Sequence, residues 1–217
     1  TTSGVYGASS YGLAGFGIQT AAIGMGGMTS PGGVPTPFEY DGSTWTATPG
    51  VNTSAAVMGG AGTTAAGLKF GGATIPFASV TNSSEEWNGS SWTASPGNLN
   101  TARAYLTGFG TQTAALGAGG AKPAAATEAE TYDGSTWSAT TALPATRARG
   151  AGSGTQTAAL YFGGTSPLDP SNTKGTGQNF DGSSWTTSPA SLGTGRSNLT
   201  GSPSGTSTSA LAVAGNS

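Results

Sequence analysis

The 217-residue sequence contains neither cysteine nor histidine. Without cysteine, the chain can form no disulfide, no thiolate metal site and no thiol redox centre. Without histidine, it lacks the Ser-His-Asp triad, the commonest zinc ligand and the commonest general base. These two absences predict a protein that is not an enzyme and that carries no metal and no cofactor.

Charged residues are also scarce, at 7% of the chain, with seven Lys and Arg against nine Asp and Glu. A nucleic-acid partner requires a basic track that neutralises phosphates, and an anionic membrane surface requires a similar cluster. No apolar run approaches the length of a membrane-spanning segment. The sequence therefore predicts no nucleic-acid partner and no membrane insertion.

Glycine and small polar residues take the place of charge, with 39 Gly and 12 Pro in the chain. This composition indicates tight backbone approach, many turns and little helix. It is also typical of disordered chains. However, five Trp, six Tyr and seven Phe recur at regular positions, which favours a folded array of repeats.

Two motifs recur along the whole chain. A glycine-led motif occurs five times and closes with a Gly-Gly pair in four copies and with Gly-Asn in the last; its copies begin at Gly17, Gly62, Gly110, Gly154 and Gly205. A second motif, aromatic-Asp/Asn-Gly-Ser-Ser/Thr-Trp, occurs four times, at 40–45, 87–92, 132–137 and 180–185. Its tryptophans are 47, 45 and 48 residues apart. Such a period is typical of a four-stranded propeller blade.

Each period shows only β signals. A short glycine-rich strand one is followed by a strand two with alternating residue sizes, so that Ala158, Leu160 and Phe162 share a face that we expect to pack against a neighbouring sheet. Asp-Gly and Asn-Gly favour a tight hairpin between strands three and four. A four-residue loop there would place Tyr132 directly opposite Trp137.

We therefore predict an all-β propeller of about five four-stranded blades, one of them incomplete. It forms a single repeat domain over 1–217, with repeats at approximately 1–45, 46–92, 93–137 and 138–185 and a partial repeat at 186–217. The opening segment 1–4 aligns with the residues just after each Trp. Three interpretations of the five-to-four motif count stay open: a propeller with one thin blade, a fragment of a longer array, and a blade completed by another chain.

The order of these features resembles the kelch repeat. The matching residues are an Arg before strand one (Arg103, Arg147), the Gly-Gly pair, an aromatic residue (Tyr132, Phe180) and the following Trp. The resemblance spans essentially the whole chain, although Ala55 replaces the Arg in the second copy and the aromatic-to-Trp interval is short. Some kelch-like propellers are copper oxidoreductases that use His and Cys, which this chain lacks.

The near-identical sequences of the motif copies resemble those of kelch-like arrays in large proteins of marine phages and bacteria. That resemblance implies a virion or extracellular location and a structural or adhesive role, as in a phage fibre, tail or capsid-surface protein. The expected partners are other virion proteins or a host-surface protein or glycan, with a homo-oligomer or a longer chain also open. The alternative is an extracellular lectin-like propeller.

Several repeated polar residues are candidates for binding. Gln19, Gln112 and Gln156 lie in the turns between strands one and two, which a propeller brings to one end of its ring; they would form either a binding circle or a solvated rim. Arg103 and Arg147 would either bind a ligand or, as we favour, brace a Glu on strand three.

The turn acids and the tryptophans complete the set of candidates. Asp41, Asp133 and Asp181 could bind Ca²⁺, but we favour bonds to their own turn backbones. Trp45, Trp92, Trp137 and Trp185, with Tyr40 and Tyr132, could stack sugars if exposed, but their regular spacing favours a structural layer between blades.

Overall fold

The computed structural model describes residues 10–29, 36–74, 79–166, 171–202 and 205–217. These residues form four antiparallel sheets of four strands each, in the order of the chain within each sheet. The predicted all-β propeller fold is confirmed. The opening segment 1–4 and parts of three Pro-, Ala- and Ser-rich loops predicted after the Gly-Gly pairs lie outside the described residues.

Each sheet is one blade of the propeller. Blade 1 contains β1 (Ser10–Ile18), β2 (Ala21–Thr29), β3 (Phe38–Tyr40) and β4 (Trp45–Ala47); blade 2 contains β5 (Gly59–Gly62), β6 (Gly67–Phe70), β7 (Ser84–Trp87) and β8 (Trp92–Ala94). Blade 3 contains β9 (Thr107–Thr111), β10 (Ala114–Ala118), β11 (Ala129–Tyr132) and β12 (Trp137–Thr140); blade 4 contains β13 (Ala151–Thr155), β14 (Ala158–Phe162), β15 (Lys174–Phe180) and β16 (Trp185–Arg196).

The hairpin between strands three and four has the predicted register in all four blades. Tyr132 lies opposite Trp137, and the other three aromatic–Trp pairs are matched in the same way. The ring centroids of these pairs lie between 4.9 and 5.4 Å apart. Cross-strand aromatic pairs of this kind stabilise a hairpin through direct side-chain contact.

The innermost strands of successive blades lie side by side, in the order β1, β5, β9 and β13. Glycine allows their backbones to approach. A Cβ on Gly108 would lie 2.3 Å from the carbonyl oxygen of Gly60, and a Cβ on Gly201 would lie 2.4 Å from that of Gly152. Such distances are too short for a real Cβ, so the tight axis of the array requires glycine at these positions.

Apolar layers join each blade to the next. We call the side of a blade that carries the large residues of strand two its outgoing face, and the side that carries the aromatic–Trp pair its incoming face. Leu68 and Phe70, on the outgoing face of blade 2, pack with Tyr132 and Trp137 of blade 3. Equivalent clusters join blade 1 to blade 2 and blade 3 to blade 4. The predicted packing of strand two against a neighbouring sheet is confirmed at these three interfaces.

The outgoing face of blade 4 differs from the other three. Ala158 is exposed and Leu160 is only half-buried, whereas Ala159 and Tyr161 on the opposite side of the same strand are fully buried. Phe162 is buried because it packs with Leu199. The expected large face of β14 is thus less covered than its counterparts, because no complete fifth blade follows it in the described residues.

The fifth copy of the glycine-led motif forms an irregular hairpin, which we call the half-blade (residues 197–217). Its two arms pair through isolated bridges, Ser197 with Asn216, Thr200 with Val213 and Thr206 with Ser209. In the described residues the half-blade has no third or fourth strand to extend it into a sheet. The described residues therefore form four complete blades and a half-blade, where the sequence predicted about five blades with one incomplete.

Candidate functional site

Arg103 is a buried structural brace within blade 3. Its Nη2 donates to Glu130 Oε1 at 2.9 Å, and its Nη1 donates to the carbonyl oxygens of Gly119 and Glu128 at 2.6 and 2.7 Å. The side chains of Arg103 and Glu130 are 0% and 3% exposed. The structure thus shows the Arg–Glu contact that we favoured over ligand binding.

Blade 2 holds a related ion pair that the sequence reasoning missed. Ala55 stands at the position of Arg103, and the cation comes from strand two instead, where Lys69 Nζ lies 2.9 Å from Glu85 Oε1. The Coulombic attraction and hydrogen bond of Lys69 outweigh the burial that opposes them and lower the pKa of Glu85. The loop before each of these two blades adds an Asn, since Asn52 and Asn100 both donate backbone and side-chain N–H groups to the acid.

Blade 4 has the arginine of this brace but not its acid. Gln178 occupies the register position that Glu130 takes in blade 3. Arg147 Nη2 donates to Thr176 Oγ1 at 2.6 Å. Within the described residues, the buried Nε and Nη1 of Arg147 and Oε1 of Gln178 have no hydrogen-bond partner. The predicted site residue Arg147 therefore lies inside the blade, and no carboxylate of the described residues is in hydrogen-bond contact with it.

The glutamines in the turns between strands one and two link neighbouring blades. Gln112 Nε2 donates to the carbonyl oxygens of Gly67 and Trp87 at 3.0 and 2.8 Å. Gln156 Nε2 makes the equivalent bonds to Ala115 and Tyr132, at 3.0 and 2.7 Å. Gln19, in blade 1, is exposed. These contacts give two of the three glutamines a bracing role, and ligand binding by the set stays a prediction.

The acidic turn residues bond their own turn backbones. Asp133 Oδ1 accepts the backbone N–H groups of Thr136 and Ser135 at 2.7 and 2.8 Å, and Asp41 and Asp181 do the same in blades 1 and 4. These hydrogen bonds, led by the N–H of the third following residue, hold the pKa of each Asp well below its usual range. In blade 2, Asn88 makes the same contacts as a neutral residue.

We expect these three turns to make the protein sensitive to acid. A carboxyl whose folded-state pKa is lowered contributes stability above its unfolded pKa of about 4, and that contribution is lost as the pH falls towards the folded pKa. Replacing Asp41, Asp133 and Asp181 together by Asn keeps the acceptor oxygen, as Asn88 shows. Between pH 4 and pH 2, the melting temperature of this variant should fall less than that of the parent chain, as measured by circular dichroism. Parallel curves would contradict the turn bonds.

Adding a chelator should leave the melting temperature unchanged. Within the described ranges, no group of three or more Asp and Glu side chains lies close enough together to hold a metal ion. Thermal melts with and without excess EDTA test this expectation, and a clear drop in melting temperature with EDTA would show that the turns bind Ca²⁺.

The aromatic residues of the second motif lie mainly between blades. Trp92, Trp137 and Trp185 are buried, while Trp45 is half-buried, as is Tyr40. The Tyr132 hydroxyl donates to Glu86 Oε1 of blade 2 at 2.6 Å, and burial together with this carboxylate raises the pKa of Tyr132 to about 12. The structure thus places three of the four tryptophans in the interblade layer that their spacing favoured.

The feature with the clearest functional character lies at the end of the ring where strand one begins. One residue per repeat takes a left-handed backbone conformation there; we call this set the axial collar, and it consists of Gly12, Val57, Tyr105, Arg149 and Asn198. From Val57 onward, each collar N–H donates to the collar carbonyl oxygen of the preceding repeat, over distances of 2.7 to 3.1 Å. The collar is therefore a continuous ladder of backbone hydrogen bonds that runs from blade 1 to the half-blade.

Four of the five collar residues are not glycine, although their φ angles lie between 52° and 60°. Residues other than glycine rarely take this backbone conformation, and the strained positions that do occur cluster at functional sites. The Arg149 guanidinium lies over the Tyr105 ring, with Cζ 4.6 Å from the ring centroid, in a cation–π contact. The repeat alignment gives no signal for the collar, because residue type changes at this position in every copy.

Comparisons with known proteins identify the fold alone. No protein-family model matches the sequence, and no curated protein matches it. The fold is shared with the solved structure of YjhT, at a TM-score of 0.72 and 14% sequence identity, over 90% of this chain and 70% of that chain. The chain is thus a β-propeller protein. In its described residues, the structure contains no helix that could cross a membrane.

Proposed function

We propose that the chain is a non-enzymatic structural and adhesive module that contacts another protein or a host surface through its axial collar. The observation that carries this proposal is the collar itself, where the half-buried side chains of Tyr105 and Arg149 contact each other on a hydrogen-bonded and conformationally restricted backbone. Tyr and Arg are the side chains most enriched at the energetic centres of protein interfaces. A fixed backbone also reduces the entropy that is lost when a partner binds.

The use of charge inside the blades supports a non-enzymatic role. General acid–base catalysis requires titratable groups that reach a substrate. Here the Lys69–Glu85 and Arg103–Glu130 pairs are buried, and the three turn Asp residues bond their own backbones. The ionisable residues that recur with the repeats therefore stabilise blades and turns.

The finer part of the proposal concerns family and location. The order of Arg, Gly-Gly, aromatic residue and Trp supports a kelch-type repeat. The near-identical sequences of the motif copies support a phage virion component in an extracellular setting. Its partners would then be other virion proteins or a host-surface protein or glycan. A propeller that presents one rigid end to a partner suits such a contact.

A lectin-like propeller is the alternative function. Its predicted contacts were the turn glutamines, the turn acids and the tryptophans. The amide nitrogens of Gln112 and Gln156 already bond neighbouring blades, and three of the four tryptophans are buried. We therefore favour the collar over these residues as the contact surface.

Binding to a glycan array and to a panel of whole bacterial cells tests the proposal. Asn198 already occupies a collar position, so Tyr105→Asn and Arg149→Asn remove the side chains and keep a residue that tolerates left-handed backbone. Thr111→Ala, at the opposite end of the ring, is the control. We expect saturable binding to cells that both collar variants weaken at least tenfold and the control does not.

Two results would overturn the collar as the contact surface: no saturable binding to any cell or glycan, or binding that survives both Asn variants. Glycan binding that is lost in Gln112→Ala and Gln156→Ala variants, but retained in the collar variants, would establish the lectin alternative.

A further inference from the structure

Every boundary between complete blades in the described residues pairs the outgoing face of one blade with the incoming face of the next. The outgoing face contributes residues six and eight positions after the motif glycine, such as Leu68 and Phe70, both 0% exposed. In blades 2 and 3 the incoming face contributes a residue four positions before that glycine, Met58 and Leu106, each 5% exposed. At these boundaries inside the molecule, each outgoing face thus packs against the incoming face of the next blade.

The half-blade presents an exposed outgoing face in the described residues. Leu211 and Val213 lie six and eight positions after Gly205, so they are the counterparts of Leu68 and Phe70, yet they are 62% and 46% exposed. Ala210 and Ala212 point the other way, because they line a pocket of about 130 Å³ with Leu160 and Leu192 of blade 4. The half-blade therefore covers part of blade 4 and presents its own two large apolar side chains outward.

The incoming face of blade 1 is exposed in a complementary way. Leu13 lies four positions before Gly17, as Met58 and Leu106 lie before their glycines, yet it is 42% exposed. Leu13 on blade 1 and Leu211 and Val213 on the half-blade all stay exposed in the folded chain. The two faces therefore do not bury each other within one molecule.

We propose that these two end faces bind each other between copies of the chain, the half-blade of one molecule against blade 1 of the next. The contact would repeat the chemistry of the internal blade boundaries, with Leu211 and Val213 against the side of blade 1 that carries Leu13. It joins two different surfaces, so it is heterologous and adds copies head to tail. This inference goes beyond the adhesive role of the collar and does not depend on it.

Sedimentation velocity over a range of chain concentrations tests the inference. The parent chain should associate as concentration rises. Leu211→Asp together with Val213→Asp, and separately Leu13→Asp, should each weaken association at least tenfold, because each places a charge in an apolar contact. Ile18→Asp is the matched control: Ile18 is 56% exposed but lies at the end of β1, in the turn region and away from both faces. It should associate like the parent chain.

Mixing the two defective variants provides the sharpest readout. The Leu13→Asp chain keeps its outgoing face and the double variant keeps its incoming face, so together they should form a dimer that cannot grow, although each alone stays monomeric. Circular dichroism melts confirm that every variant is folded.

Three outcomes would overturn the inference: a parent chain that stays monomeric at every concentration, association that neither variant weakens, or variants that dimerise alone but do not pair on mixing. The first would indicate that the two faces close within one chain or receive a different partner. The last would indicate a symmetric interface elsewhere on the molecule.

Discussion

Replacing Trp137 by Ala should lower the free energy of unfolding by about 3–5 kcal/mol, the usual cost of removing a buried large aromatic side chain. Trp137 is 5% exposed, and its ring centroid lies 4.8 Å from that of Phe70 in the preceding blade and 5.2 Å from that of Tyr132. Its Nε1 donates to Ser84 Oγ at 3.0 Å, also across the blade boundary. The substitution would therefore leave a cavity between blades and an unfilled acceptor.

Urea denaturation of the two chains measures this cost. Trp45→Ala is the matched control, because Trp45 occupies the same repeat position but is half-buried; it should cost clearly less. A change near zero for Trp137→Ala would contradict the interblade layer and would indicate a ring that is exposed and available to a ligand.

Glu130→Gln should have an effect of similar size, about 3–5 kcal/mol, because breaking one partner of a buried ion pair leaves the other charge uncompensated. Arg103 would keep its bonds to two carbonyl oxygens but would lose its only ion-pair partner among the described residues. The same carboxylate also accepts N–H groups from Asn100 and Thr101, so the loop before the blade would loosen as well. Chemical denaturation gives the value.

Blade 4 supplies the reciprocal experiment. Gln178→Glu places a carboxylate at the position that Glu130 occupies in blade 3, facing an Arg147 with two nitrogens that lack partners in the described residues. We expect it to raise stability by roughly 1.5–3 kcal/mol, the usual contribution of hydrogen bonds to a charged group. A neutral Glu130→Gln variant, or a destabilised Gln178→Glu variant, would contradict the brace.

The sequence predicted the elements that depend on local pattern. The repeat period gave four strands per blade, the Asp-Gly turns gave the hairpin register, and the size alternation of strand two gave the outgoing faces of three blades. The Arg103–Glu130 contact could be expected because Arg suits buried carboxylates. All of these follow from residues that recur at fixed spacing.

The remaining features depend on contacts that spacing does not encode. Lys69 replaces the missing arginine of blade 2 from a different strand, so no single repeat position predicts it. Gln112 and Gln156 bond the preceding blade, which requires the distance between blades. The left-handed collar lies at or just before the start of strand one, and its variable residues gave no motif. The blade count differed because an aligned hairpin motif does not determine whether a full sheet forms.

The proposed contact surface depends on the collar, which joins the blades through a continuous ladder of backbone hydrogen bonds and is therefore expected to be rigid. Hydrogen exchange followed by NMR tests it at the amides of Val57, Tyr105, Arg149 and Asn198, which donate across the blade boundaries at 2.7 to 3.1 Å. These four amides should exchange as slowly as those in the centres of β9 and β10. Exchange as fast as in the exposed turns would contradict the expected rigidity.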